Sequence, residues 1–120
     1  MQNLIYKHRG TPHFTKEFGN GSASERLVLP TPDQCNIKVT RFMPKAGLIL
    51  TDVAYSVDET VYLAKGVLEL RLAGGKLVSL SAGDVYVVPA GVSYDINVIE
   101  DAEAVCVFSQ AQGGPLPDND

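Results

Sequence analysis

Hydrophobic and polar residues alternate along the middle of the chain in short runs, and glycine and proline cut the runs at close intervals. Residues 36–43 read Asn-Ile-Lys-Val-Thr-Arg-Phe-Met, with Ile37, Val39 and Met43 on one parity. Further runs rich in Val, Leu, Ile and Tyr occupy 47–56, 60–72, 76–80, 84–89, 94–99 and 103–109. A period of two is the period of a strand. Between the runs stand turn signals: Pro44-Lys45-Ala46-Gly47, Ala73-Gly74-Gly75, Ala82-Gly83-Asp84 and Pro89-Ala90-Gly91. No segment of ten or more residues carries a strong 3.6-residue period. The pattern predicts a compact, antiparallel all-β domain, either a sandwich or a small barrel.

The flanks read differently. Residues 1–34 mix charges with Gly, Ser and Pro around two apolar runs, Leu4-Ile5-Tyr6 and Leu27-Val28-Leu29. This predicts an N-terminal arm that packs on its own barrel or on a partner's, and with it a homodimer. Residues 35–110 form the barrel. Residues 111–120, rich in Gly, Pro and Asp, form a flexible tail.

Composition narrows the partners more than the chemistry. A chain of 120 residues is long enough for one domain with its own core. A net charge of -4 argues against nucleic acid and against anionic membranes. No apolar run approaches the roughly 18 residues of a membrane span, and residues 1–14 contain no long apolar signal segment. The expected location is cytoplasmic. Cys35 and Cys106 form no CxxC pair. Two reduced thiols fit that compartment, with a disulfide between them as the alternative.

Two spacings carry a resemblance. Gly83, five residues, Pro89, one residue, Gly91, two residues, Tyr94 resembles the second motif of the cupin family. Gly47, five residues, Val53, one residue, Tyr55, three residues, Glu59, six residues, Gly66 resembles the first. The likeness covers residues 36–109, and within the family it is nearest to cupins that lack the histidine ligands, such as the ethanolamine-utilisation cupin domain. The resemblance implies a single-domain cupin-like jelly-roll barrel. It also implies the place of a site, because the family holds a metal with three histidines and a glutamate. Those four places here read Val53, Tyr55, Tyr94 and Glu59. Valine cannot ligate, and a phenol ligates only after losing a proton at pH ~10. The expectation is a site with no metal and no cofactor.

What remains at those places is a carboxylate between two aromatic hydrogen-bonding groups. Glu59, Tyr55 and Tyr94 are therefore the candidate catalytic residues. Either the two tyrosines line a cavity or they fill the barrel as amphipathic core. Strand parity then lists neighbours. If Tyr55 points inward, so do Ile49, Thr51 and Val53. If Glu59 does, Val61 and Leu63 follow, and if Tyr94 does, Ile96 and Val98 follow. Cys106 is a further inward candidate. Arg41 shares the parity of Ile37, Val39 and Met43. It would sit inward and need a carboxylate, either Glu59 or a ligand, unless it lies at the strand end and reaches water. The candidate substrate-binding set is Arg41, Val53, Tyr55, Tyr94, Ile96 and Cys106, facing a small polar or carboxylate-bearing molecule. His8 and His13 could reach Glu59 only if the arm folded across a barrel mouth.

Three functions fit this set. One is a metal-free isomerase, dehydratase or lyase, with Glu59 as acid-base and the tyrosines as hydrogen-bond donors. Another is a non-catalytic module that binds a small ligand. The third is a filled barrel with no site. An open cavity of several hundred Å3 would separate the first two from the third.

Overall fold

The structure is a computed structural model that describes residues 4–109. Among the described residues eight strands are formed: β1 (Phe14–Gly19), β2 (Ser22–Val28), β3 (Ile37–Met43), β4 (Ile49–Val53), β5 (Asp58–Leu72), β6 (Leu77–Ser81), β7 (Val85–Val88) and β8 (Tyr94–Ser109). One short helical turn, α1 (Pro30–Asp33), joins β2 to β3. All strand pairs are antiparallel. The two runs at 94–99 and 103–109 are one continuous strand. The tail at 111–120 lies outside the described residues.

β5 and β8 form the spine. The first half of β5 and the second half of β8 pair with each other, flanked by β7 on one side and by β3, β2 and β1 on the other. The second half of β5 and the first half of β8 also pair, flanked by β6 and β4. Two layers result, and the long strands cross from one to the other.

The crossing is at Gly66. The β5–β8 register shifts three times between Leu63 and Leu68. Buried positions on β5 accordingly change from Glu59, Val61 and Leu63 to Leu68 and Leu70, an exchange of odd for even parity. Gly66 has φ of 92°, and a Cβ there would lie 2.4 Å from the Asp101 carbonyl oxygen. Only glycine fits a positive φ against a backbone that close.

The core lies between the layers. Val57, Val61, Leu63, Leu68, Val98, Ala104 and Phe108 are each at most 2% exposed. The N-terminal hairpin extends the first layer. β1 and β2 meet at Gly19-Asn20-Gly21, where φ is positive at all three residues, at 91°, 47° and 85°. Their alternation is polar, with Ser22, Ser24 and Arg26 inward. The hairpin therefore carries little of the apolar signal by which strands are read.

One face was misplaced by parity. On β3 the buried residues are Lys38, Thr40 and Phe42, not Ile37, Val39 and Met43. Arg41 turns to the outer face. There its Nη1 donates to Glu25 Oε1 at 2.7 Å, and its Nε is 3.8 Å from Glu103 Oε2. Arg41 is thus removed from the substrate-binding set. A guanidinium with two carboxylates beside it outside is more stable than one desolvated inside.

Candidate functional site

A cavity of about 500 Å3 opens into the barrel. Lys16 and Phe18 of β1, Ser24 of β2, and Thr40 and Phe42 of β3 form one wall. β4 and the segment after it, through Tyr55, form another. Glu59 of β5, Tyr86 of β7, and Tyr94, Ile96 and Cys106 of β8 complete the lining. The six sequence candidates Val53, Tyr55, Glu59, Tyr94, Ile96 and Cys106 all line this cavity.

The floor is built by the motif turns. The turn after β7 is tied down twice: Gly91 N–H donates to the Tyr55 carbonyl at 2.8 Å, and Ala90 N–H donates to Asp58 Oδ1 at 2.9 Å. These bonds set the start of β5, and so Glu59, beside the start of β8, and so Tyr94. Tyr94 Oη donates to Glu59 Oε1 at 2.7 Å, with both residues buried. The Tyr55 ring meets Phe108 edge to face, centroids 4.8 Å apart. β4 departs from simple alternation. Asp52 has φ of 54°, and the β4–β8 register shifts between Leu50 and Val53. Leu50 therefore joins Val53 against the core, while Ile49 and Thr51 are exposed though they still border the cavity.

Burial governs the phenols. Removal from water, followed by the nearby Glu59 charge, pushes the Tyr94 phenol far above its usual range. The Tyr86 phenol is pushed up the same way, by burial first and then by Cys106 and Glu59. Both therefore remain neutral hydrogen-bond donors at physiological pH.

This donor set does not suit a metal. The places that the cupin resemblance assigns to ligands hold a valine, two phenols of which one is held strongly protonated, and a single carboxylate. Among the described residues no three His, Cys, Asp or Glu side chains cluster where an ion could be held. His13 Nε2 lies 2.8 Å from Asp33 Oδ2, and the His8 carbonyl accepts from Thr11. Neither histidine lines the cavity. Cys35 and Cys106 are not joined in a disulfide. Among the described residues no helix is long and apolar enough to cross a membrane.

Sequence reasoning missed Lys16, Phe18, Ser24, Thr40, Phe42 and Tyr86. Tyr86 was within reach, because it sits two residues before buried Val88 inside the second motif. Lys16 and Ser24 were not, because the polar hairpin offers no inward-facing apolar stripe.

Residues 51–104 match the family model described as an EutQ-like cupin domain. No curated protein matches the chain. Several solved structures share the fold. An RmlC-like cupin from Shewanella frigidimarina NCIMB 400 is 17% identical, with a TM-score of 0.74 over 92% of this chain and 95% of that one. The ethanolamine utilization protein EutQ of Salmonella typhimurium LT2 is 21% identical, with a TM-score of 0.64 over 75% and 70%. Ectoine synthase from P. lautus is 22% identical, with a TM-score of 0.67 over 82% and 80%. With its two motif turns framing the cavity, the chain has the single-domain jelly-roll fold seen in these cupin structures, and residues 51–104 match the EutQ-like cupin domain.

Proposed function

We propose that the chain is a metal-independent enzyme acting on a small oxygenated molecule, an isomerase, dehydratase or lyase with Glu59 as its acid-base. The observation that carries this is the Tyr94–Glu59 hydrogen bond of 2.7 Å at the floor of an open cavity of about 500 Å3. That size suits a small ligand. A carboxylate within reach of a bound molecule can take a proton from carbon and return it to oxygen. Tyr94 stabilises the ionised form of Glu59 by donating to it. Tyr86 and Tyr55, which line the same cavity, are the residues assigned to hold the oxygen on which charge grows. The fold likeness to an ectoine synthase supports an enzyme on this scaffold without naming a reaction.

The second reading is a binding module using the same residues, and turnover decides between them. The experiment is Glu59→Gln, assayed against small hydroxy and oxo compounds. Loss of turnover by at least about a hundredfold, with affinity kept within about tenfold, supports the enzyme. Unchanged turnover sinks it. Affinity without turnover in the unsubstituted protein leaves the binding module.

A homodimer belongs to the same proposal. Val85, Val87 and Tyr62 are 60%, 56% and 48% exposed on the outer face, and Tyr62 pairs with Val85 there. Apolar area of this kind is commonly covered by a second copy. The cytoplasmic location rests only on the two cysteines being outside any disulfide.

A further inference from the structure

The cavity has a second polar end, away from the Tyr94–Glu59 pair. Lys16 and Ser24 face each other directly across the β1–β2 pair, and both line the cavity. Directly opposed side chains on antiparallel strands lie about 5 Å apart at Cβ. The Lys16 ammonium sits 5.1 Å from the centroid of Phe18, another lining residue, so the cation lies over the cavity wall.

Ser24 is polarised from behind. Fully buried Arg26 donates through Nη1 to Ser24 Oγ at 2.7 Å. The Arg26 guanidinium is stacked 5.2 Å from the Phe14 ring, which fixes its direction. A hydroxyl that accepts from a guanidinium becomes a better donor, and its own hydrogen is left to point elsewhere. Ser24 lines the cavity and opposes Lys16, so a ligand seated between them can accept that hydrogen.

The inward face of the first three strands is thus basic in a chain whose net charge is -4. Lys16, Arg26 and Lys38 all stand on it, the last two essentially buried. The opposite end of the cavity carries Glu59. The strand register separates the ends. Lys16 aligns through Ser24, Phe42 and Ala104 with Leu63, four residues along β5 from Glu59. Four residues of strand rise about 13 Å along the strand direction, the strand-to-strand steps from β1 to β5 add to it, and a lysine side chain covers part of the distance.

We propose that the Lys16–Ser24 corner, backed by Arg26, binds the carboxylate of the substrate and directs its opposite, oxygenated end toward Glu59 and Tyr94. The substrate class is then a small hydroxy or oxo carboxylic acid. The inference rests on the reading that the cavity takes a small molecule, and it names which molecule.

The test is binding by the full-length protein, followed by heteronuclear NMR. The probes are lactate and mandelate, each paired with its neutral amide, at up to about 20 mM. The acids shift the resonances of residues 16 and 24 and bind at least about tenfold more tightly than the amides. Lys16→Met abolishes that preference and Lys16→Arg restores it. Ser24→Ala, which leaves the charge in place, weakens the acids by about three- to tenfold and leaves the amides unchanged. Three results overturn the proposal: equal binding of acid and amide, a preference that survives Lys16→Met, or no acid bound at the highest concentration.

The two readings fail separately. If the amides bind as well as the acids, and Tyr94→Phe weakens both, the cavity is a small-molecule site and the anion corner is wrong. If no probe binds and no variant alters turnover, both readings fall.

Discussion

β3 and β5 run through the same layer on either side of β8, yet they turn opposite kinds of side chain inward. β5 buries Glu59, Val61 and Leu63, two aliphatic residues and one carboxylate, and shows Thr60 and Tyr62 to the outside. β3 buries Lys38, Thr40 and Phe42 and turns Ile37, Val39, Arg41 and Met43 outward. The strands differ because they bound different spaces. The inner side of β5 beyond Glu59 meets the packed core, where apolar contact is worth about 25 cal/mol per Å2. The inner side of β3 forms a cavity wall and also holds a buried cation over an aromatic ring, Lys38 over Phe108 at 5.3 Å. A polar inner face is retained where a pocket needs it, and the apolar face is then left to the surface.

The comparison breaks most sharply with charge. Val61→Asp puts an ion where exposure is 1%, at an expected cost of about 4 kcal/mol or more. The cognate change on β3, Val39→Asp, faces outward beside Val107 and should cost within about 1 kcal/mol. Urea unfolding of the two variants measures the difference, and equal losses would mean that both faces of the layer are core.

Gly66→Ala tests the crossing that sets the phase of β5. The added Cβ would lie 2.4 Å from the Asp101 carbonyl oxygen, at a φ of 92°. Left-handed strain and overpacking together predict a loss of about 2–5 kcal/mol. A variant as stable as the parent by denaturant midpoint would show that β5 can cross without a bulge.

The phenols sharpen the inner end of the comparison. Their folded pKa values lie above the unfolded value near 10, so the folded state keeps protons that the unfolded chain gives up. Stability is unaffected below about pH 10 and falls as pH rises beyond it, at up to about 1.4 kcal/mol per pH unit for each such tyrosine. Urea unfolding between about pH 9 and 11 reads the slope. Tyr94→Phe removes its share, and an unchanged slope would place the Tyr94 phenol in solvent contact.

The smallest effect belongs to Arg41. Its side chain is 17% exposed and its partner Glu25 is 16% exposed. Arg41→Met should therefore cost about 1 kcal/mol and leave the affinity of any cavity ligand unchanged. A change in ligand affinity would return Arg41 to the site.

Several features of the molecule could be read from residues alone. The alternation over β5, β7 and β8 predicted an antiparallel all-β domain, and the cupin resemblance carried by the glycine and proline spacings implied the jelly roll and the place of Glu59, Tyr55 and Tyr94. Those signals are local: a core-facing strand alternates visibly, and a turn needs glycine where φ is positive. The phase of β3 was not local, because Ile37, Val39 and Met43 on one side and Lys38, Thr40 and Phe42 on the other are both amphipathic enough to face inward. Its direction was settled by the partner strand, where Thr40 opposes Cys106 and Phe42 opposes Ala104. The same holds for Lys16, Ser24 and Arg26. Nothing in the polar alternation of β1 and β2 says that they look into a cavity until β2 pairs with β3 and the barrel curves. The strand pattern follows from each residue's own preference for water or oil, whereas the second end of the site depends on register between segments far apart in the chain, which only folding brings together.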